Sequence, residues 1–426
     1  MNPRSFMTKF VCKRIAFSLS FILYTITGCA NHQKNEFSSD LKNQLAKKSC
    51  YIVDCYEYKY KDKVLDLSNN HQLENVWIGY ASWIHQLKVP PSLINLIISG
   101  SVDVEKSLDL SACKGLTALV IGSYAKLRDV IKMPNSITCL YINNHAQICE
   151  KLDLSHCHQL KFLAIENGAQ LKEVILPSSL LNLFIDSGVH INGLLDLSRC
   201  EQLSSFEAKP GANFENILFP QQLQKVTFGE SSLLRKKLDL SKCTHLKHLA
   251  IGDYSKFPEG CQLPPFLNEL IISFKVNIAG GLDMSQCQQL EKLFIYDPEI
   301  ILDLSNCRKL KELEISSHSP IGMESLAELE ELRIAMGARV NTKLDLSHCI
   351  NLSSLVIEDD VVISEDVDLS ACEKLSVLKI DATEVELKKA LILPASLLQL
   401  EIGPRVRIKG KIDTSKCKNI KNYKVL

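Results

Sequence analysis

The chain has 426 residues, and its 49 lysines and arginines are matched by 49 aspartates and glutamates, so its formal net charge is zero. That balance gives no support to a nucleic-acid or polyanion binder, and a hydrophobic fraction of 46% is enough for a large core and excludes a disordered chain. No apolar run reaches the roughly 18 residues of a membrane span, so the chain is not expected to be polytopic.

The N-terminal segment reads as an address. Lys9, Lys13 and Arg14 give a positive start, and Ile15 to Ile26 is an apolar stretch of signal-peptide length. It runs into Ile26-Thr27-Gly28-Cys29, which resembles the lipobox of bacterial lipoproteins. The resemblance implies removal of residues 1–28 and lipid attachment at Cys29; Ala30, in place of an aspartate, implies the outer membrane. Two or three acyl chains anchor stably where one does not. Polar residues 29–40 follow as a tether. Residues 41–64 are expected to cap the domain beyond them, with Ser39 starting a short helix and Tyr56, Tyr58 and Tyr60 alternating along an edge strand.

From residue 65 to 426 one pattern repeats. Leu-Asp-Leu-Ser stands at Leu65, Leu108, Leu152, Leu195, Leu238, Leu302 and Leu344, with variants at Leu282, Val367 and Ile412. After each but the first comes Cys-x-x-Leu-x-x-Leu-x-Ile or a close relative, as in Cys113, Leu116, Leu119 and Ile121. Between most of these lies a second form, Leu-Pro-x-Ser-Leu-x-x-Leu-x-Ile, as in Leu176, Pro177, Leu180, Leu183 and Ile185. The shared L-x-x-L-x-I begins seventeen times between Leu73 and Ile420, at steps of 19 to 23 residues.

That period and pattern resemble the leucine-rich repeat proteins of bacteria. The Leu-Pro units are similar to LPX- and FNIP-type repeats, and the others to cysteine-bearing repeats of bacterial surface proteins. The usual asparagine three residues beyond the last strand leucine is replaced by Ala81, Ser101, Tyr124, His145 and Gly168. The asparagine ladder is therefore absent, which puts the coil geometry at that corner in question. Each unit holds about four apolar residues and buries them only by stacking. Strand alternation sends Leu and Ile inward, and parallel pairing at about 4.8 Å makes seventeen coils a horseshoe or arc about 80 Å long. A coil near 20 residues leaves little room for a helix. The expected fold is a mainly β solenoid with extended or short 3₁₀ returns, Leu-Asp-Leu-Ser forming a second short strand.

The cysteines invite a chemical reading. Cys113, Cys157, Cys200, Cys243, Cys287, Cys307, Cys349, Cys372 and Cys417 hold one repeat position. Most sit in alternate coils, about 9.5 Å apart, too far for a disulfide and unable to converge on zinc. They are expected to fill a corner as small apolar residues. Cys50 and Cys55, outside the repeats, are the candidates for a disulfide. The recurring Asp-x-Ser reads as turn capping, because no carboxylates occupy the Leu-Pro coils between to make a calcium ladder. No metal or other cofactor is expected. There is no G-x-S-x-G, H-E-x-x-H, P-loop or glycine fingerprint, so the chain is not expected to be an enzyme or to hold a small-molecule substrate.

Binding is expected on the outward face of the strands. The outward residue of L-x-x-L-x-I is Trp77, Ile97, Val120, Tyr141, Ala164 and Phe184 in the first six coils, and Phe294 recurs later, with Phe162 and Tyr296 beside the column. Five of the last six are charged. An apolar stripe of this kind marks an interaction site, with aromatics as anchors. The expected function is lipid-anchored binding of a protein at the cell envelope, with no nucleic acid. Two alternatives stand beside it: an effector binding proteins in a host cytosol, which suits the unoxidised cysteines and the LPX-like units, and a passive envelope or adhesion element.

Overall fold

The computed structural model describes residues 50–54 and 64–425, apart from 80–82, 99, 298, 299, 301, 302, 317–324, 336, 341–343 and 381–385. Cys29, the tether, the Ser39 segment, Cys55 and the three tyrosines lie outside the described residues, and of Cys50 only its place in a strand is described. Among the described residues there is no helix of either kind and no helix long and apolar enough to cross a membrane.

The L-x-L-x-I segments form one long parallel sheet. It has eighteen strands, one more than the repeats alone supply. The extra strand, Cys50–Asp54, lies beside Asn75–Gly79. This strand precedes the first coil in the chain. Between most neighbours four residue pairs stay in register, for example Asn95–Ile98 with Ala118–Ile121. Most steps of the ladder bury a Leu/Ile pair: Leu96, Ile98, Leu119, Ile121, Leu140 and Ile142 are closed off from solvent.

The returns are strands too, in two further sets of parallel ladders and not 3₁₀ segments. One set follows the corner after the long sheet, as in Asp103–Val104 beside Lys126–Leu127. The other contains the Leu-Asp of Leu-Asp-Leu-Ser, as in Leu108–Asp109 beside Ile131–Lys132. In the four central coils the two fuse into longer strands, Gln147–Asp153, Gln170–Ile175, His190–Asp196 and Asn213–Leu218, with an irregularity in register where the chain bends. Each coil therefore closes its apolar interior with backbone that is hydrogen-bonded to the next coil, which a chain this short per turn manages only with extended segments.

The Asp-x-Ser segments make the turn that follows. The Ser68, Ser111, Ser241 and Ser285 N–H groups each donate to the carboxylate two residues earlier at 3.0 Å, and the same bond recurs through Ser415. The Ser68 and Ser111 hydroxyls and amides hold the Asp66 and Asp109 carboxyls below the usual carboxylate range. The cysteine comes next, its N–H on the leucine carbonyl three residues back: Cys113 to Leu110 at 2.9 Å and Cys200 to Leu197 at 2.8 Å. Its side chain points into the core.

The corner that lacks asparagine is built from backbone. Ser101, Tyr124, His145, Gly168, Gly188, Gly211, Ser231, Tyr254, Lys275, Gly337 and Asp360 all have φ between 52° and 81°, a left-handed residue at the same place in eleven coils, with Gly100 left-handed beside Ser101. That conformation aims each N–H along the stack: Tyr124 donates to the Asn144 carbonyl (3.0 Å), His145 to Asn167 (2.8 Å), Gly168 to Ser187 (3.0 Å) and Gly188 to Pro210 (2.9 Å). A ladder of main-chain bonds does here what an asparagine side-chain ladder does elsewhere, and the left-handed turn that it needs falls on residues that do not advertise it.

Candidate functional site

The outward column of the first six coils is continuous. Register pairs Trp77 with Ile97, Ile97 with Val120, Val120 with Tyr141, Tyr141 with Ala164 and Ala164 with Phe184. All face away from the core, yet most are half-buried, because each side chain is shouldered by those above and below. Ala164 is only 4% exposed, overshadowed by its larger neighbours, whereas Phe184 is 41% exposed. The stripe is thus flatter and drier than a row of free side chains. Phe162 lies beside it and packs on Tyr141, ring centroids 5.2 Å apart. The flanking outward column is uncharged as well over these coils: Asn75, Asn95, Ala118, Cys139, Phe162 and Asn182, with Asn95 Nδ2 donating to Asn75 Oδ1 at 2.7 Å.

Phe294 and Tyr296 do not join this patch. Glu207 stands between, and Phe294 ends a second, shorter run through Thr227, Ala250 and Ile271 that Glu314 closes. Tyr296 is half-buried and engaged in a polar network. Burial first, then the Glu314 carboxylate that its hydroxyl meets, push its phenol up to about 12. Arg333 bridges Glu314 (3.6 Å) and Glu358 (2.6 Å). From the eighth coil to the thirteenth the flanking column is Lys225, His248, Glu269, Lys292, Glu312 and Glu331, with Lys292 ion-paired to Glu312 and His248 Nδ1 hydrogen-bonded to Glu269, each at 2.5 Å. Charged residues that satisfy one another along a face stabilise it modestly and leave less to offer a partner than an uncharged apolar stretch does.

Most other large exposed apolar side chains stand off the predicted column. Tyr124, Tyr254 and Phe274 lie at the left-handed corner: Tyr124 stacks on His145 at 5.0 Å, and Lys275 sits over Phe274 at 5.0 Å. Trp83, on the second ladder, lies under Arg128, whose guanidinium is held by Asp103 through bonds of 2.7 and 2.6 Å. These residues fall outside L-x-x-L-x-I, and the one signal for them was the column of odd residues where asparagine was missing.

The cysteine column is closed to chemistry at the surface. Its thiols are buried and unbonded to one another except for the half-buried Cys417 at the far end, also free. Burial pushes Cys157, Cys200, Cys287 and Cys349 up to about 12 and Cys113, Cys243, Cys307 and Cys372 up to about 11. Among the described residues no three histidine, cysteine or acidic side chains converge as for a metal.

No protein-family model matches the sequence, and no curated protein matches it significantly. Solved structures that do match are leucine-rich repeat proteins. The chain is 16% identical to YopM from Yersinia enterocolitica, covering 95% of this chain and 99% of that one, with a TM-score of 0.42. A leucine-rich repeat protein of Leptospira interrogans is 14% identical, with 92% and 100% covered and a TM-score of 0.33. The functional domain of InlJ from Listeria monocytogenes, described as including a cysteine ladder, is 18% identical, with 79% of this chain covered and a TM-score of 0.34. The chain spans 58% of that InlJ domain, 64% of a circular leucine-rich repeat protein and 63% of TLR13 in its complex with a single-stranded RNA.

Proposed function

We propose that this chain is a lipid-anchored protein of the bacterial cell envelope, in the outer membrane, whose solenoid binds another protein through the outward face of its first six coils. The observation that carries the binding half is the unbroken, uncharged column from Trp77 to Phe184, bordered by Asn75, Asn95 and Phe162 and ended by Glu207. A rigid aromatic-rich patch free of charge loses little on desolvation and little side-chain entropy on binding. Among the described residues no three histidine, cysteine or acidic side chains converge as for a metal, and the proposal is of a binding protein and not an enzyme, with neither nucleic acid nor a small-molecule substrate as its ligand. The anchoring half rests on Lys9, Lys13, Arg14, the apolar stretch and Gly28-Cys29.

Two experiments test the halves separately. A photoactivatable side chain at position 77 or 141, irradiated in cells, is expected to give one discrete adduct, and the same group at Lys256 on the second ladder none; identical adducts from both faces overturn the assignment. Intact mass of the membrane-purified protein is expected to show loss of residues 1–28 and a diacylglycerol increment that Cys29→Ser abolishes. An unprocessed, unacylated chain instead supports the second reading, an effector in a host cytosol, which the free thiols favour because a reducing compartment keeps them so.

A further inference from the structure

The cysteine column is uninterrupted in two places. Elsewhere a coil with proline at that position, or in one case Leu326, stands between one thiol and the next, and thiols such as Cys113 and Cys200 donate to the proline carbonyl at 3.3 and 3.5 Å. Cys287 and Cys307 have no such spacer, and neither do Cys349 and Cys372. Strand Lys292–Ile295 pairs in full register with Glu312–Ile315, and Ser354–Ile357 with Val377–Ile380. Each of the four cysteines stands five residues before the first pair of its strand, with its N–H on the carbonyl three residues back at 2.9 or 3.0 Å. The two members of a pair thus hold the same place in successive coils, about 4.8 Å apart along the stack. Cysteines whose Cα atoms lie roughly 4.4 to 6.8 Å apart are within reach of a disulfide.

The contacts agree with the register. Cys372 Sγ and the Cys349 N–H both donate to the Leu346 carbonyl, at 3.6 and 3.0 Å, so the sulfur of one cysteine and the backbone of the other share an acceptor. Burial first, then the neighbouring thiol (Cys372 and Cys307 respectively), push Cys349 and Cys287 up to about 12. All four side chains are buried, so a link between them lies inside the solenoid and leaves the outward face as it is.

We propose that Cys349 with Cys372, and Cys287 with Cys307, are disulfide sites that close by exchange with a small-molecule or protein disulfide and tie neighbouring coils together where the column is continuous. A cysteine thiolate attacks one sulfur of the donor disulfide, the other sulfur leaves as a thiolate, and a mixed disulfide forms. The neighbouring cysteine's thiolate then attacks the protein sulfur of that mixed disulfide. The Cys–Cys bond forms and the second donor sulfur leaves. Two cysteine sulfurs are oxidised, one donor disulfide is reduced to two thiols, and these take up the two protons that the cysteines give. Burial keeps the thiolate scarce in the closed coils, so the links form during folding or when a coil opens. A reducing compartment leaves both pairs as thiols.

The test takes the full chain, reduced and unfolded in urea, and refolds it by dilution into mixed oxidised and reduced glutathione before alkylation, digestion and mass spectrometry. The links Cys349–Cys372 and Cys287–Cys307 are expected at least tenfold more often than any other pairing among the column cysteines, with Cys113, Cys157 and Cys200 alkylated. The native reduced chain held in oxidised glutathione without urea is expected to give the same two links more slowly. Cys372→Ala is expected to abolish the first link, leave Cys349 alkylated and keep the second link. The linked chain is expected to unfold at higher urea than the reduced chain, a difference that dithiothreitol removes. Absence of either link by both routes, or other pairings at equal yield, overturns the proposal. So does loss of the second link in a Cys372→Ala chain that keeps the parent's circular dichroism, or a urea midpoint that linking fails to raise.

Discussion

Burying so many thiols has a consequence in alkali. Nine cysteines, the eight buried members of the column and Cys261, stay protonated in the folded chain to about pH 11 or 12, against an ordinary value near 9. The folded state therefore binds more protons than the unfolded one above pH 9. Stability from these groups is fully present below that pH and is lost as pH rises toward the folded values. Each thiol removes about 1.4 kcal/mol per pH unit, so nine together remove about 12 kcal/mol per unit, comparable to the whole stability of about 5–15 kcal/mol expected of a domain. Urea unfolding followed by circular dichroism is expected to show nearly constant stability to about pH 8, a loss of about 4 kcal/mol by pH 9 and a steep fall by about pH 10. The slope reports the number of thiols, independently of what a substitution costs in packing. In Cys157→Ala/Cys200→Ala/Cys349→Ala it is expected to fall by about a third, three of the nine groups being gone. A flat profile above pH 9, or a slope unchanged in the triple variant, refutes the reasoning. The same burial bears on the address, since an inert thiol tolerates an oxidising compartment. A maleimide is expected to label the half-buried Cys149 and Cys417 in the native protein and to spare Cys157 and Cys200.

The corner and the half-buried Leu183 give two further predictions. Gly188 is left-handed (φ 62°) with no added Cβ contact shorter than 3.7 Å, so Gly188→Ala is expected to cost only the left-handed strain, about 1–2 kcal/mol. A Cβ at Gly168 meets His145 Nδ1 at 2.4 Å, so Gly168→Ala is expected to displace His145 from Tyr124 and cost about 1 kcal/mol more, an excess that vanishes in a His145→Ala background; equal costs in the wild-type background reject the contact. Leu163→Ala, in a closed strand, is expected to lose about 2–5 kcal/mol and Leu183→Ala clearly less, the comparison being read by urea midpoint. Equal losses mean that Leu183 is packed as closely as Leu163.

Spacing made the coil legible, because a residue that recurs every turn of a solenoid has the same surroundings each time. Leu96, Leu119 and Leu140 are buried for one reason, and reading the pattern once reads it throughout. The outward column was legible for the same reason, period two in a strand. What spacing cannot carry is whatever varies between turns. Nothing in Ser101, Tyr124 or His145 as residues announces φ near 60°, since the conformation is imposed by the chain closing its turn. Phe294 looks like a member of the first apolar run until the intervening Glu207 is placed in register. The half-burial of Leu183 was hidden for the same reason, since Leu183 satisfies the repeat as well as the buried leucines do.

The alternation of two unit types, plain in the sequence, gains its reason only from the contacts. The serine of a Leu-Pro unit reaches back to the coil before it: Ser136 Oγ donates to the Leu116 carbonyl at 2.8 Å, Ser179 to Leu160 at 2.8 Å and Ser396 to Leu375 at 2.8 Å. The cysteine of the next unit then reaches back to the proline it follows: Cys113 Sγ donates to the Pro90 carbonyl at 3.3 Å, Cys200 to Pro177 at 3.5 Å and Cys417 to Pro394 at 3.3 Å. Each unit type leaves open the carbonyl that the other closes, and a buried carbonyl left open is costly. Where two cysteine units are adjacent the partner changes, and Cys372 donates to Leu346 at 3.6 Å. The corner is thus constrained coil by coil while the outward strand residues are not. Outward side chains are free to differ along the stack, and they do: both outward columns are uncharged to Phe184, whereas beyond Lys225 the flanking column carries ion pairs such as Lys292 with Glu312. A scaffold that fixes its corner and leaves one face to vary suits a binding surface of graded character, which is the proposal made above for the uncharged coils.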